Sequence, residues 1–301
     1  MLPLLDSIRR DRVLVADGAM GTMLMKYGVA IHECPEAINL SRRDILESIA
    51  RQYLEAGAEI IQTNTFGASP IKLARRGLDG KTQEINQEAV HAVQRVAGGK
   101  AYISGSVGPS GGILVPYGDI TLEQLQDSFR RQITALVEAG VDCLCIETMI
   151  DVNEAIAGIR AAREVSRLIP IMATMTFNNT PRGFFTVMGD SIARAVEELP
   201  AAGADIIGSN CGNGIEMMVA IAAEFTRLTD RPIIIQSNAG LPELVNDQLI
   251  YAESPEFMAE KTADLLKVGV AVIGGCCGTT PEHIRTIHRV VTEYRRRTRP
   301  T

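Results

Sequence analysis

Apolar, β-branched runs recur along the chain, separated by segments whose apolar residues return every three or four positions. The runs predict strands at Val13–Ala16, Glu59–Thr65, Ala101–Val107, Cys143–Thr148, Ile171–Thr176, Ile206–Cys211, Ile233–Ser237 and Val270–Gly274. Intervening segments such as Arg43–Ala56 and Gln83–Ala97 predict helices. One device returns four times, at Ala56-Gly57, Ala139-Gly140, Ala202-Gly203 and Val268-Gly269. Each reads as a helix that stops at a glycine before the next strand. Eight strands alternating with eight helices predict an α/β fold, a (βα)8 TIM barrel forming a single domain over residues 1–301. A doubly wound open sheet shows the same alternation, and strand count alone leaves it open. The basic stretch Arg295–Thr301 reads as a solvated tail.

In a barrel the chemistry belongs at the C-terminal strand ends. Here those ends read Asp17-Gly18-Ala19-Met20-Gly21-Thr22, Asn64-Thr65-Phe66-Gly67, Gly108-Pro109-Ser110-Gly111-Gly112, Glu147-Thr148, Thr176-Phe177, Asn210-Cys211-Gly212 and Asn238-Ala239-Gly240. The last is Gly274-Gly275-Cys276-Cys277-Gly278, followed by Thr280-Pro281, which reads as an N-cap with proline at the first helical position.

Adjacent cysteines on a regular strand point to opposite faces, so glycines must bend the chain if both sulfurs are to meet one partner. The pair alone reads as a vicinal disulfide, as two buried thiols, or as two zinc ligands. Cys211 shifts the balance to zinc. It ends the sixth strand, two places before the eighth, where its sulfur can converge with Cys276 and Cys277. Three thiolates with one open position is the arrangement of a catalytic zinc, and a soft thiolate suits the open place. A free thiol titrates near ~8.5, and coordination would keep it ionised at neutral pH. Cys143 and Cys145 read as core, Cys34 as a lone loop thiol, and His283 and His288 as capping or surface residues.

Composition narrows the function further. A net charge of −6 argues against a nucleic-acid or anionic-membrane surface. No apolar run approaches membrane-spanning length, and Met1–Leu5 is broken at once by Asp6 and Arg9. Six cysteines without a secretion signal point to the cytoplasm. No lysine sits at a strand end to form a Schiff base, which disfavours a barrel aldolase. Proline and apolar residues follow Gly105–Gly112 instead of a helix, which excludes a phosphate loop.

The ordered set of strand-end motifs, spanning about Val13 to Val290, resembles the homocysteine S-methyltransferase family. Within it, the chain looks most like the homocysteine-binding domain of cobalamin-dependent methionine synthases. The resemblance implies a methyltransferase in which Cys211, Cys276 and Cys277 hold Zn2+. It also implies that Glu147 accepts the substrate ammonium, that Asn238 and the Asp17-Gly18 turn hold the amino-acid head group, and that Thr65 joins the substrate-binding set. Gly278 stands where S-methylmethionine-using relatives carry arginine, which points to a methylated corrinoid as donor. No Asp-x-His-x-x-Gly corrinoid-ligating motif occurs, so methylcobalamin is expected on a separate protein that docks transiently. A small-molecule donor such as S-methylmethionine or betaine is the alternative, and a non-catalytic barrel that binds a thiol or a corrinoid protein is another. The chain departs from the family pattern at Ser237, where proline is usual, and at Gly212-Asn213-Gly214.

Overall fold

Eight parallel strands follow one another in a ring in the computed structural model, which describes residues 2–10, 12–29, 33–245 and 248–298. They are β1 (Leu14–Val15), β2 (Ile60–Gln62), β3 (Tyr102–Val107), β4 (Cys143–Met149), β5 (Ile171–Met175), β8 (Ile206–Asn210), β9 (Ile233–Ser237) and β12 (Val272–Gly275). Leu14 pairs with Val272, joining first strand to last. The remaining seam closes where Ala16 bridges Ile60 and the Glu59 and Asp17 amides donate to the Val15 and Ile60 carbonyls. An open doubly wound sheet is thereby excluded. All eight predicted strands are present, shifted by at most a few residues at their ends.

Burial on both faces explains why these runs are mostly apolar instead of alternating, their buried polar residues being few and mostly small. Every residue of β3, β5, β8, β9 and β12 is buried, because helices cover the outside of the ring and side chains fill the inside. The outer layer comprises α3 (Arg43–Glu55), α5 (Thr82–Ala97), α6 (Leu122–Glu138), α7 (Val152–Val165), α8 (Ile192–Ala202), α9 (Ile215–Leu228), α10 (Pro255–Lys267) and α11 (Pro281–Thr298), with the short helices α2 (Met20–Lys26) and α4 (Pro70–Ala74) in the loops after β1 and β2. Four glycines that end helices, Gly57, Gly140, Gly203 and Gly269, take left-handed φ between +89° and +118°.

Inside the ring, Leu14, Ile60, Met172, Ile206, Ile234 and Val272 pack with Cys143 and Cys145, which are core residues as their sequence suggests. The helix α1 (Leu4–Arg9) plugs the N-terminal mouth with Leu4 and Ile8, and Ser7 bonds the Tyr102 hydroxyl at 2.8 Å. Above this apolar layer the interior turns polar.

Two antiparallel hairpins rise from the opposite mouth, and the sequence pattern did not announce them. One joins β6 (Asn178–Thr180) to β7 (Gly183–Phe185), and the other joins β10 (Pro242–Val245) to β11 (Gln248–Tyr251). The basic stretch expected to be a solvated tail is helical through Thr298; its last residues, 299–301, lie outside the described part. Arg295 donates to the Val13 carbonyl and pairs with Glu59, both side chains being less than one-fifth exposed. Among the described residues no helix is long and apolar enough to cross a membrane.

Candidate active site

The chain turns sharply just past two strands, β8 and β12, and these turns bring three thiols together. Cys211 has φ of +59°, and the Asn213 amide donates back to its carbonyl at 2.9 Å. At the other turn Cys276 donates its amide to Ser237 at 2.7 Å, and Cys277 accepts from the Ala239 amide at 2.9 Å. Gly275 must be glycine here, since an added Cβ would lie 2.3 Å from Thr279 Oγ1. That hydroxyl donates to the Cys276 carbonyl at 2.7 Å and so holds the turn.

The three sulfurs lie within 4.8 Å of one another, with Cys211 and Cys277 3.9 Å apart. All six cysteines are free. A tetrahedral zinc with Zn–S bonds of about 2.3 Å sets its sulfurs about 3.8 Å apart, so this donor set fits the ion. Hydrogen bonds from Cys276 and Cys277 hold the Cys211 thiol down to about 3, aided by the Gly212 amide and the Asn238 side chain. The same sharing pushes Cys276 well up, and the hydrogen bond with Cys211, then burial, pushes Cys277 to about 11. The trio alone therefore keeps one negative charge, and a cation is needed to ionise all three.

Asn210 fixes this corner. Its Oδ1 accepts from the Thr148 amide and the Thr174 hydroxyl, each at 2.8 Å, and its Nδ2 donates to Thr148 Oγ1 at 2.7 Å and Glu147 Oε2 at 3.3 Å. Thr148 and Cys211 both adopt left-handed φ without being glycine, at a cost of about 1–3 kcal/mol each. The Asn210 bonds hold Thr148 in that conformation.

Two carboxyl groups face the interior beside the thiols. Glu147, 6 % exposed, accepts from the Ser106 hydroxyl, and burial raises it to about 7. Asp17, 1 % exposed, accepts the Gln62 amide at 2.8 Å on Oδ2, while Oδ1 is buried without a partner. Burial, then repulsion from Glu147, raises Asp17 to about 8. Both groups hold protons in the folded chain at pH values where the unfolded chain has released them. Their contribution to stability is complete below about pH 4 and is lost as pH rises through about 7 and 8. Ligand-free protein should therefore lose on the order of a few kcal/mol between pH 5 and 8.5. Asp17→Asn should remove most of that slope in urea midpoints measured at the two pH values; an unchanged slope would clear Asp17.

A family model for homocysteine S-methyltransferase matches residues 14–291. The chain belongs to that family. Among curated members, the methionine synthases of Mycobacterium tuberculosis (strain H37Rv) and Mycobacterium leprae are each 32% identical, over 303 and 298 residues. The alignments cover 95% and 93% of this chain but only 25% and 24% of those proteins, so the chain spans about a quarter of their length. Among solved structures, the metallated homocysteine methyltransferase MmuM of Escherichia coli superposes with a TM-score of 0.80 at 22% identity, covering 96% of this chain and 99% of its own. A methyltransferase from Methanosarcina mazei gives 0.62 at 12%, covering 97% and 98%. Both likenesses are of fold.

The motifs that carry the family resemblance meet at this mouth. Gly18 lies against Thr279 and Tyr53, where an added Cβ would sit 2.6 Å from Thr279 Oγ1. Asn238, 3 % exposed, reaches Cys211, and its Oδ1 is buried without a partner. Thr65 is set deeper. Its hydroxyl donates to the Ser106 carbonyl at 2.7 Å and is shared with Thr63, so it steadies the residue that bonds Glu147. The two departures from the family pattern are wired in as well: Ser237 accepts the Cys276 amide, and Asn213 accepts the Asn238 amide at 3.0 Å. Sequence reasoning missed Tyr251. Its ring covers Gly278, whose φ is +81° and whose added Cβ would lie 2.2 Å from the ring, and its hydroxyl interacts with Cys277. Burial, then the Cys277 charge, pushes that hydroxyl up to about 12.

Proposed function

We propose that this barrel transfers a methyl group between a methylated corrinoid on a separate protein and the sulfur of homocysteine or a similar small thiol. Cys211, Cys276 and Cys277 would hold zinc, and the mutual approach of their sulfurs is the observation that carries the reading. When bound, the metal would supply the Lewis acidity that keeps an acceptor thiol ionised at neutral pH.

The chain's own residues do the rest. Glu147 in its ionised form accepts the substrate ammonium, with Ser106 and Asn210 fixing its two oxygens. Entry of a cation beside it favours that ionised form, reversing the effect of burial. Asn238 and the Asp17-Gly18 turn hold the head group. Asp17 Oδ1 and Asn238 Oδ1, buried and unpartnered, are free to accept from it.

The rim supports a donor borne by a protein. Tyr117, Val187, Met188, Leu241 and Leu244, on three separate loops beyond β3, β5 and β9, are each more than half exposed. Exposed apolar side chains grouped around a site mark a docking surface. Gly278 supports the same donor, because Tyr251 occupies the space into which an arginine at that position would grow.

Zinc-loaded protein should be offered homocysteine with methylcobalamin, S-methylmethionine or betaine in parallel, following thioether formation. Methylcobalamin should turn over slowly even without its carrier. Ready reaction of S-methylmethionine with none from methylcobalamin would replace the corrinoid reading by the small-molecule one.

A further inference from the structure

Glu253 touches no thiol, yet every loop that carries a site residue on this side of the mouth is bonded to it. It lies two residues beyond Tyr251, between β11 and α10. Its carboxylate Oε2 accepts the Ile215 amide at 2.9 Å, at the first residue of the helix that follows Cys211. That helix has Gly214 at its N-cap and no side-chain cap of its own, so its leading amides would otherwise lack a partner. Glu253 supplies the cap from another loop, at the end of the helix that favours negative charge.

The fit is close. A Cβ built on Gly214 would lie 2.0 Å from Glu253 Oε1, so the glycine leaves the space the carboxylate fills. The Glu253 backbone makes the other two links. Its amide donates to Ala239 at 2.9 Å, in the loop of Asn238, and Ala239 in turn donates to Cys277. Its carbonyl lies 3.0 Å from His283 Nε2, in the helix that follows Cys276 and Cys277. The Thr280 amide donates to His283 Nδ1 at 3.1 Å, which leaves the hydrogen on Nε2 to donate to Glu253.

We infer that Glu253 is a positioning residue that locks the loops of Cys211, Asn238 and Cys276-Cys277 together and thereby sets the metal affinity of the three thiols. The two backbone links survive substitution, and the carboxylate link to the Cys211 side does not. Loss of that bond loosens the turn after Cys211, leaving its left-handed backbone to the bonds of Cys211 with Gln236 and of Asn213 with Asn238 and Phe177.

The inference rests on the proposed zinc site and can fail separately from it. Zinc affinity is measured by chelator competition, and the thiolate-to-cobalt charge-transfer band is recorded after Co2+ substitution. Four proteins are compared: the parent, Cys211→Ala, Glu253→Ala and Glu253→Gln. Glu253→Ala should bind zinc about tenfold to a hundredfold more weakly and show a weakened, shifted cobalt band. Glu253→Gln, which still accepts from the Ile215 amide, should recover most of both. Gly214→Ala reaches the same perturbation by displacing the carboxylate, and it serves if Glu253→Ala does not fold. Parent-like zinc affinity in Glu253→Ala, or in Gly214→Ala where that is used, overturns the inference while Cys211→Ala still loses zinc. Equal zinc binding by parent and Cys211→Ala overturns the site reading itself and this inference with it.

Discussion

Replacing Cys211, Cys276 or Cys277 by alanine is expected to strip zinc from the protein and abolish useful methyl transfer. Each thiol supplies a third of the donor set, and two sulfurs do not make a stable site of this kind. At pH 7 an uncoordinated thiol near 8.5 is ionised only to a few per cent, a loss of about thirtyfold. A thiol no longer held in place loses about a further hundredfold. The combined fall should be about a thousandfold or more, with the fold intact by circular dichroism. Cys34→Ala is the control: Cys34 lies half-buried beside Glu36, away from the cluster, and should keep its zinc. Undiminished metal in any of the three variants would remove that residue from the set.

Glu147→Gln should leave zinc in place and weaken the acceptor. Glutamine keeps the shape and can still accept from Asn210, while Ser106 can reverse its hydroxyl. What goes is the negative charge proposed to face the ammonium. A charge-assisted hydrogen bond contributes about 1.5–3 kcal/mol, which is about tenfold to a hundredfold in affinity. Isothermal titration with homocysteine on zinc-loaded protein measures it. Equal affinity would make Glu147 a structural group held by Ser106 and Asn210.

The ring of strands is legible because parallel strands buried on both faces stay mostly apolar, and glycine stops mark where four of the helices must turn. The hairpins are not, because Asn178–Thr180 is polar and Pro242–Val245 opens on proline, so neither shows the strand period. At the site, the thiols and Glu147 are legible from residue type at strand ends. Asn210 stands in the same motif, but nothing local reveals that its amide would span Glu147, Thr148 and Thr174. Tyr251 and Glu253 reach the site only through the β10–β11 hairpin, so their roles are invisible until that hairpin is placed. Arg295 misleads for a related reason: its partners, Val13 and Glu59, lie at the far end of the chain.

The seam at β1 bears on the order in which the molecule is made. Leu14 and Val15 find their ladder partners in Val272 and Ile273, so the first strand leaves the ribosome long before this second neighbour exists. Closing so long a loop carries a large entropic cost that only the final contacts offset. Asp17 meets Gly275, the residue before Cys276, across that same seam, where the Gly275 amide donates to the Asp17 carbonyl at 2.9 Å. The nascent chain therefore holds most of the barrel's hydrophobic core before it holds a complete pocket of three thiols, which forms only once Cys276 and Cys277 have been made.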